Sequence, residues 1–246
     1  MKYSTTLINS YNDNQKMLRR SVESCLSQDK VKVQIILSTV RGDLAIDTVR
    51  KISKDIDIVI NDKPSIYRQI NNALPFVRYD WFSFFSGNDV ALKTKIRDEI
   101  NLCKGNKKIC YSSYLKCNNG ADIKKSKIFN FFNYDYKKHL EGNFVSDVAV
   151  MHKSILDNYY PFKEKFDKFA FYDFWLRVCE GEGESVFIYN SKPTWIYLID
   201  KNSLHQSRRR SEKRKLKYKL YRKFMLSYHN GSKVVFDTFK DFKENY

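Results

Sequence analysis

The N-terminal part of the chain alternates between short apolar runs and segments in which apolar side chains recur every three or four residues. The apolar runs, each bounded by turn-forming residues, predict strands at 3–10, 31–37, 56–60 and 81–85. The helical spacing between them predicts helices over 15–28, 47–52 and 67–74. Strands that alternate with helices in this way are typical of an α/β fold with a parallel sheet.

Beyond Asp89 the pattern is less regular. It predicts a helix over 94–102, a strand over 109–115 and a polar and aromatic loop over 118–135. Further ordered segments are expected at 144–151, 174–178, 185–189 and 194–198, followed by a strongly basic helix over 207–228. Because no internal repeat and no Gly/Ser-rich linker is found, one continuous domain is expected.

Composition adds a constraint on partners. The chain has 246 residues, of which 42% are hydrophobic, enough for a substantial core. It carries 45 Lys plus Arg against 28 Asp plus Glu, a formal net charge of +17. This balance favours a polyanionic partner, such as a nucleic acid, an anionic lipid or a nucleotide diphosphate.

Cysteine usage and hydropathy bear on location. The five cysteines form an odd set with no CxxC pair, which predicts neither a disulfide framework nor a zinc site. Reduced cysteines indicate an intracellular protein. No apolar run reaches the roughly 18 to 20 residues that span a bilayer, and no signal-peptide pattern is seen. A cytoplasmic protein, at most peripheral to a membrane, is expected.

The opening of the chain resembles that of the family 2 glycosyltransferases. In that family a strand ends in a Thr-Tyr-Asn-like turn, and the next helix ends in Ser-Val-Leu-x-Gln; residues 6–14 and 18–28 are similar. The strand end and its turn form one wall of the crevice in which an open α/β sheet binds its nucleotide. The resemblance implies that Ser10, Tyr11 and Asn12 contact the nucleotide. A generic strand-turn-helix is the alternative.

A second block, residues 62–74 and 79–90, resembles the family segment in which an acidic residue precedes a helix that leads to a buried strand. The likeness implies that Asp62, Arg68 and Asn71 contribute to binding of the nucleotide sugar. After the second strand, relatives often read Asp-Asp-Gly-Ser, whereas this chain has Ser38 and Thr39. The acid that would meet the nucleobase is therefore replaced, and Thr39 is assigned to the same site.

The second block closes on Ser86-Gly87-Asn88-Asp89, which resembles the family's metal motif. A divalent cation, Mn²⁺ or Mg²⁺, would neutralise the diphosphate leaving group there. Asp89 is the only carboxylate of the motif and is the predicted ligand, with Asn88 beside the donor. His205 is the second predicted ligand, because 195–205 resembles a segment that folds back over the donor in relatives. The alternatives are that Asp89 caps the next helix and that His205 is an ordinary surface residue.

A third block, residues 144–156 and 172–178, resembles the acceptor side of the family, where a carboxylate at a helix start acts as general base. Asp173 is the predicted base, although registration on Trp175-Leu176-Arg177 puts the family's usual base position at Phe171. Asp173 could equally cap its helix or pair with Arg177, and Asp167 is a more distant candidate.

Together the blocks imply a GT-A (Rossmann-like) α/β fold, with a mixed, mostly parallel sheet flanked by helices. The expected domain is 1–206, with 1–100 as the nucleotide-binding half and 101–206 as the acceptor-side half. Residues 207–246 would form a basic helical C-terminal extension. The first interpretation of this extension is a helix that packs on the core, and the second is a helix that contacts anionic lipid. Nucleic acid is disfavoured, because no RNP motif, KH loop or zinc finger is present.

The implied activity is transfer of a sugar, with inversion, from a nucleotide-diphosphate-sugar donor to a hydroxyl of a glycan, a lipid-linked acceptor or a protein. Two other classes stay open. A catalytically degenerate protein of the same fold would bind sugar or nucleotide only, consistent with the replaced acids. A polyanion-binding protein would use the basic tail to hold lipid or RNA.

Overall fold

The computed structural model describes residues 1–118 and 126–199, together with Lys223, Leu226, Tyr228 and His229. These residues group into two compact units. The first comprises Met1–Tyr134 and Val145–Ile199, and the second comprises Asp135–Phe144 and Asp200–Tyr246. The predicted basic helix over 207–228, apart from Lys223, Leu226 and Tyr228, lies outside the described residues, as do His205 and the expected boundary at 206.

The first half of the large unit follows the predicted alternation of strands and helices. Its elements are β1 (Lys2–Asn9), α1 (Gln15–Leu26), β2 (Val31–Val40), α2 (Ala45–Arg50), β3 (Asp57–Asn61), α3 (Ile66–Ala73), β4 (Trp81–Ser86), β5 (Val90–Ala91) and α4 (Lys95–Leu102). Asn14 caps α1, its side chain accepting hydrogen bonds from the backbone N–H groups of Lys16 and Met17. The strands and helices predicted here are confirmed to within a few residues at their ends.

The second half departs further from the prediction. Its elements are β6 (Ile109–Asn118), β7 (Lys127–Phe129), α5 (Tyr136–Glu141), β8 (Val150–His152), α6 (Lys153–Tyr159), α7 (Ala170–Glu182) and β9 (Phe187–Ile199). The segment expected to be loop over 118–135 contains β7, which pairs with β6. Of the ordered segment expected at 144–151, only its end belongs to a strand, β8. The two expected strands near the end are one, β9.

One sheet joins the strands that the structure describes, in the order β3-β2-β1-β4-β8-β6-β9-β5, with β7 on β6. The pairs β1–β2, β1–β4 and β2–β3 are parallel. Antiparallel pairing enters with β8, which lies between β4 and β6. The predicted α/β class with a mixed sheet is therefore confirmed.

Neighbouring residues of a strand point to opposite faces of the sheet. Since apolar residues occupy successive positions of these strands, both faces of the parallel part are covered. On one face, Ile8, Leu37 and Phe85 lie in register and form a core with Leu18 of α1 and Val49 of α2. On the other face, Phe84 meets Phe162 and Phe171 edge to face, with centroid separations of 5.5 and 4.9 Å. Burial on two sides fixes the ends of these strands in space.

The small unit is represented mainly by α5. Asp135 caps this helix by accepting a hydrogen bond from the Lys138 N–H, and His139 is buried against Phe144. No helix among the described residues has both the length and the apolar character needed to cross a bilayer.

Candidate functional site

Four parallel strands end side by side at one edge of the sheet. Asn9, the last residue of β1, lies in register with Ser38 of β2 on one side and Ser86 of β4 on the other. Asn61, the last residue of β3, is in register with Val40. Because parallel strands share a carboxyl edge, the turns that follow them meet there, which is where open α/β sheets bind ligands.

The turn after β1 is tied to the loop after β2. The Asn12 N–H donates to Asp43 Oδ2 at 2.8 Å, and Oδ1 of the same carboxylate accepts from the Ala45 N–H at 2.8 Å. Asn12 itself has a left-handed backbone, with φ of 52°. This turn projects Tyr11, whose side chain is 45% exposed, at the strand ends. An exposed ring of this kind suits stacking on a planar base.

Asp13 occupies the same edge, although the sequence indicated only a turn residue there. A Cβ on Gly87 would lie 2.3 Å from Asp13 Oδ2, so the absence of a side chain at Gly87 lets this carboxylate approach β4. Burial raises the pKa of Asp13, and the nearby Asp43 charge adds to the rise. The nearby Ser10 hydroxyl lowers the pKa of Asp13, although Ser10 Oγ does not meet the distance and angle limits of a hydrogen bond.

Asp89 is a buried carboxylate at this edge with a strongly raised pKa. It is only 6% exposed; Oδ2 accepts a hydrogen bond from Ser86 Oγ at 3.1 Å. Burial raises the pKa of Asp89 to about 7; the Ser86 bond and Lys95 lower it, while the like charges of Asp147 and Asp13 raise it further. The helix α4 is preceded by Thr94 as its cap residue, so the alternative that Asp89 caps this helix is wrong.

Several buried polar atoms at this edge make no hydrogen bond within the part of the chain that the structure describes. They are Asn9 Oδ1, Ser10 Oγ, Thr39 Oγ1 and Asp89 Oδ1. Buried polar atoms are normally satisfied, and a cluster of exceptions at a strand edge is typical of a place where a polar ligand binds. Asn88 lies beside them: its Oδ1 shares the single proton of the Ser86 hydroxyl with Asp89 Oδ2, and its Nδ2 is 3.5 Å from the Leu198 carbonyl oxygen.

Of the two predicted metal ligands, Asp89 is the one that lies within the described residues. Within 1–118 and 126–199, no three His, Cys, Asp or Glu side chains are grouped closely enough to hold a metal ion. His205, the other predicted ligand, lies outside the described residues. The unbonded Oδ1 of Asp89 and the neighbouring carboxylates nevertheless fit a cation chemically, because a positive charge would relieve their mutual repulsion.

The residues predicted from the second block are placed differently from one another. Asp62 is exposed directly after β3. Arg68 pairs with Glu164 at 3.1 Å in a half-exposed position. The buried Asn71 uses both ends of its amide on the backbone of Phe162, with each hydrogen bond at 2.9 Å. Asn71 thus fastens α3 to the segment before α7, and its contact with a donor stays a prediction.

Asp173 is fully buried near the start of α7. Its Oδ2 accepts from Arg177 Nε at 2.8 Å, and its Oδ1 lies 3.4 Å from Lys163 Nζ. The pairing with Arg177 that was the alternative for this residue is therefore present. Phe171, at the family's usual base position, is buried against Phe84. The role of Asp173 as general base stays a prediction.

A buried ion pair that was not predicted from the sequence lies near enough to Asp89 to affect its pKa. Lys95 Nζ lies 2.7 and 2.8 Å from the two carboxylate oxygens of Glu99, and both side chains are fully buried. Thr194 of β9 donates to Glu99 at 2.5 Å and bonds Ser112 of β6. The network joins α4 to two strands, and its cation lowers the pKa of Asp89. The i,i+4 spacing of Lys95 and Glu99 was the one available signal.

Comparison with known proteins supports the fold. Structures of S. aureus TarS, a GT-A-type glycosyltransferase, are similar, one covering 96% of this chain and 44% of the TarS chain at 14% identity with a TM-score of 0.58. TarS 1–349 in complex with UDP-GlcNAc matches at 12% identity, covering 96% of this chain and 73% of that one, with a TM-score of 0.58. The complex with UDP matches at 14% identity, covering 100% and 75%, with a TM-score of 0.57.

The chain thus spans less than half the length of the TarS chain in the first of these structures. No protein-family model matches the sequence, and a search of curated proteins finds no match. At such low identity the likeness shows fold. The expected GT-A-like fold is confirmed.

Proposed function

We propose that this protein is a glycosyltransferase of the family 2 type that takes a sugar from a nucleotide-diphosphate donor, with a uridine nucleotide as first choice. The observation that carries the proposal is the carboxyl edge of β1, β2 and β4. Buried polar atoms without hydrogen bonds among the described residues lie at the ends of β1 and β2 and, after β4, at Asp89. The uridine nucleotide is suggested by the TarS complexes with UDP and UDP-GlcNAc, which have the same fold.

The roles of the edge residues follow from their positions. Tyr11 offers an exposed ring to the base, and the Thr39 hydroxyl and the Asn9 amide oxygen are buried polar atoms at the ends of β2 and β1 that a ligand could use. Asp43 holds the backbone of the turn that carries Tyr11, so the backbone there needs little ordering when a base binds. Asn88 lies on the β4 side, where the diphosphate and sugar would follow.

A divalent cation, Mn²⁺ or Mg²⁺, is part of the proposal. Asp89 Oδ1 would hold it, with diphosphate oxygens and water completing the coordination. When bound, such an ion supplies charge neutralisation to the diphosphate leaving group. Asp13 and Asp147 lie close enough to raise the pKa of Asp89, so the same ion would stabilise all three carboxylates. His205 stays a predicted ligand.

The transfer step, with inversion, needs a base for the acceptor hydroxyl, and Asp173 is the candidate. Its carboxylate is already engaged by Arg177 and Lys163, so an incoming hydroxyl would have to displace one of them. Lys163 is the longer and more weakly placed contact, at 3.4 Å. The same two ion pairs favour the second candidate function, a catalytically degenerate module that binds a nucleotide sugar without transferring it.

Thermal shift with UDP, UDP-GlcNAc and the corresponding guanosine and thymidine compounds, each with and without MnCl₂, tests donor binding. We expect the uridine compounds with Mn²⁺ to raise the melting temperature, because a ligand that binds only the folded state stabilises it. Tyr11→Ala should abolish most of the shift. Phe76→Ala, which removes an exposed ring from the segment before β4, is the matched control and should leave it unchanged. No shift with any nucleotide would refute the proposal.

Release of UDP from UDP-sugars in the presence of glycan acceptors then separates the two candidate functions. A transferase releases UDP in proportion to acceptor, whereas a binding module shows the thermal shift and no release. Asp89→Asn should remove the Mn²⁺-dependent part of the thermal shift. A shift that keeps its dependence on Mn²⁺ in this variant would exclude Asp89 from the metal site.

A further inference from the structure

A second cleft opens at the amino-terminal edge of the same strands. It has a volume of about 350 Å³ and is lined by Lys2, Tyr3, Arg78, Tyr79, Asp80, Trp81 and Ile100. Strands β1 and β4 begin here, so the cleft lies at the end of these strands opposite to Tyr11 and Asp89. The proposed transferase activity does not use it.

Aromatic rings form one wall of this cleft. Tyr3 is 47% exposed, and its ring meets that of Tyr79 at 5.2 Å with an angle of 45°. Trp81 is half-buried and is held edge-on by His152 at 5.2 Å. The rings are therefore fixed by neighbours yet open to a ligand, on strands and strand ends that need no rearrangement.

Charged groups form the remaining wall. Neither the Lys2 ammonium nor the Asp80 carboxylate makes an ion pair among the residues described. Arg78 is held at its backbone and at its side chain. Its backbone N–H donates to Gln34 Oε1 at 3.1 Å, and its Nη2 donates to Asp57 Oδ1 at 2.8 Å. The cleft thus presents hydrogen-bond donors and an acceptor, positioned beside aromatic faces.

This combination selects among ligand classes. A diphosphate or other polyanion would gain little net charge attraction here, because Arg78 is engaged by Asp57 and the single ammonium of Lys2 is offset by the Asp80 carboxylate in the same wall. A purely apolar ligand would leave the charged walls desolvated. A sugar ring matches both walls, because its C–H face packs on aromatic rings while its hydroxyls both donate and accept hydrogen bonds.

We propose that this cleft is a second, non-catalytic carbohydrate site that binds one or two sugar units. Its volume falls at the lower end of the range for small-molecule sites, which fits a short saccharide. Binding there is independent of sugar transfer. If the proposed function also holds, the cleft would retain a distant part of a glycan acceptor while its end reaches the opposite edge of the sheet.

Intrinsic fluorescence gives a direct readout. The chain has three tryptophans, of which Trp175 and Trp195 are buried and Trp81 alone is half-buried, so a solute in the cleft acts mainly on Trp81. We expect titration of the full chain with N,N′-diacetylchitobiose or maltose to give a saturable change, with Kd of about 0.1–10 mM. Trp81→Phe should remove this change. The absence of a saturable change with both disaccharides would overturn the proposal.

A matched pair of variants locates the binding. Tyr3→Ala should weaken disaccharide binding at least tenfold (about 1.4 kcal/mol) and leave the UDP thermal shift intact, whereas Tyr11→Ala should do the reverse. The two rings are equally exposed, at 47% and 45%, so general surface effects cancel. Asp80→Asn should weaken binding severalfold and keeps the test available if Tyr3→Ala does not fold. Equal weakening by Tyr3→Ala and Tyr11→Ala would overturn the proposal. If the disaccharide binds but UDP does not change the melting temperature, the carbohydrate site is supported and the proposed transferase function is refuted.

Discussion

Replacement of Asp89 by asparagine isolates the charge of the single carboxylate in the Ser86–Asp89 segment. The change preserves side-chain shape and the hydrogen bond from Ser86. It removes a negative charge that is buried and that lies near the like charges of Asp147 and Asp13. Without a metal ion, we therefore expect Asp89→Asn to stabilise the folded protein at neutral and alkaline pH.

The magnitude follows from the pKa. Burial raises the pKa of Asp89 from 3.8 to about 7. At 1.36 kcal/mol for each tenfold change in proton affinity, ionising Asp89 costs the folded state about 4 kcal/mol more than the unfolded state. Some of that cost relaxes when the protein adjusts. We therefore expect the variant to gain about 2–4 kcal/mol in the free energy of unfolding at pH 8.

The sign of the pH dependence is fixed by the direction of the pKa. The folded protein binds more protons than the unfolded chain between about pH 4 and pH 7, so this group's contribution is complete below pH 4 and is lost as the pH rises through 7. Urea unfolding in EDTA at pH 4.5 and pH 8 measures it. The advantage of Asp89→Asn should be small at pH 4.5 and full at pH 8.

The exposed Asp55 provides the control, since Asp55→Asn should change stability by less than about 0.5 kcal/mol at either pH. Saturating Mn²⁺ with UDP should then reverse the order, because only the wild-type carboxylate gains from a bound cation. Equal stability of wild type and Asp89→Asn at pH 8 would refute the account of this edge as a cluster of opposed charges.

Three further substitutions test other parts of the structure. Gly87→Ala should lower the free energy of unfolding by about 1–3 kcal/mol, because the added methyl group would clash with Asp13. The loss should be smaller in an Asp13→Ala background, where the clash is removed. If the effects of the two substitutions simply add, the contact between these residues is contradicted. Lys95→Met should lower the free energy of unfolding by about 3–5 kcal/mol, because it leaves Glu99 charged and buried without its partner. Adding Glu99→Leu should restore most of this stability, as measured by urea unfolding. If stability is not restored, the pair matters for another reason. Asp173→Asn should lower turnover at least about a hundredfold with donor binding intact, and unchanged turnover would show that Asp173 is structural.

The parallel half of the fold could be predicted from the sequence because its signals are local. The apolar runs at β1, β2 and β4 are short, are separated by amphipathic helices, and end in turn residues. Parallel pairing then places Asn9, Ser38 and Ser86 at one edge, and the register shows them aligned. The place of the site is thus a consequence of strand order, which the alternation of elements already implied.

The second half was less predictable because its strands pair with partners distant in sequence. The Asn190-Ser-Lys-Pro stretch suggested a break, yet β9 continues through it, with a register shift against β6 between Ser112 and Tyr114. The shift accommodates the irregularity without ending the strand, as a bulge does. Local polarity alone gives no sign that a partner strand will hold such a segment in place.

The chemistry of the edge depends on contacts that no local pattern records. The sequence indicated that Asp89 has to act alone or borrow a ligand such as His205, because Ser86 and Asn88 stand where the Asp-x-Asp form has acids. In the folded chain, Asp13 approaches from the turn after β1 and Asp147 from the segment before β8, and both raise the pKa of Asp89. Two further carboxylates thus come near Asp89 from other elements of the fold. A cation bound at Asp89 would relieve this repulsion even without acids at positions 86 and 88, although the described carboxylates are not grouped closely enough to coordinate it together.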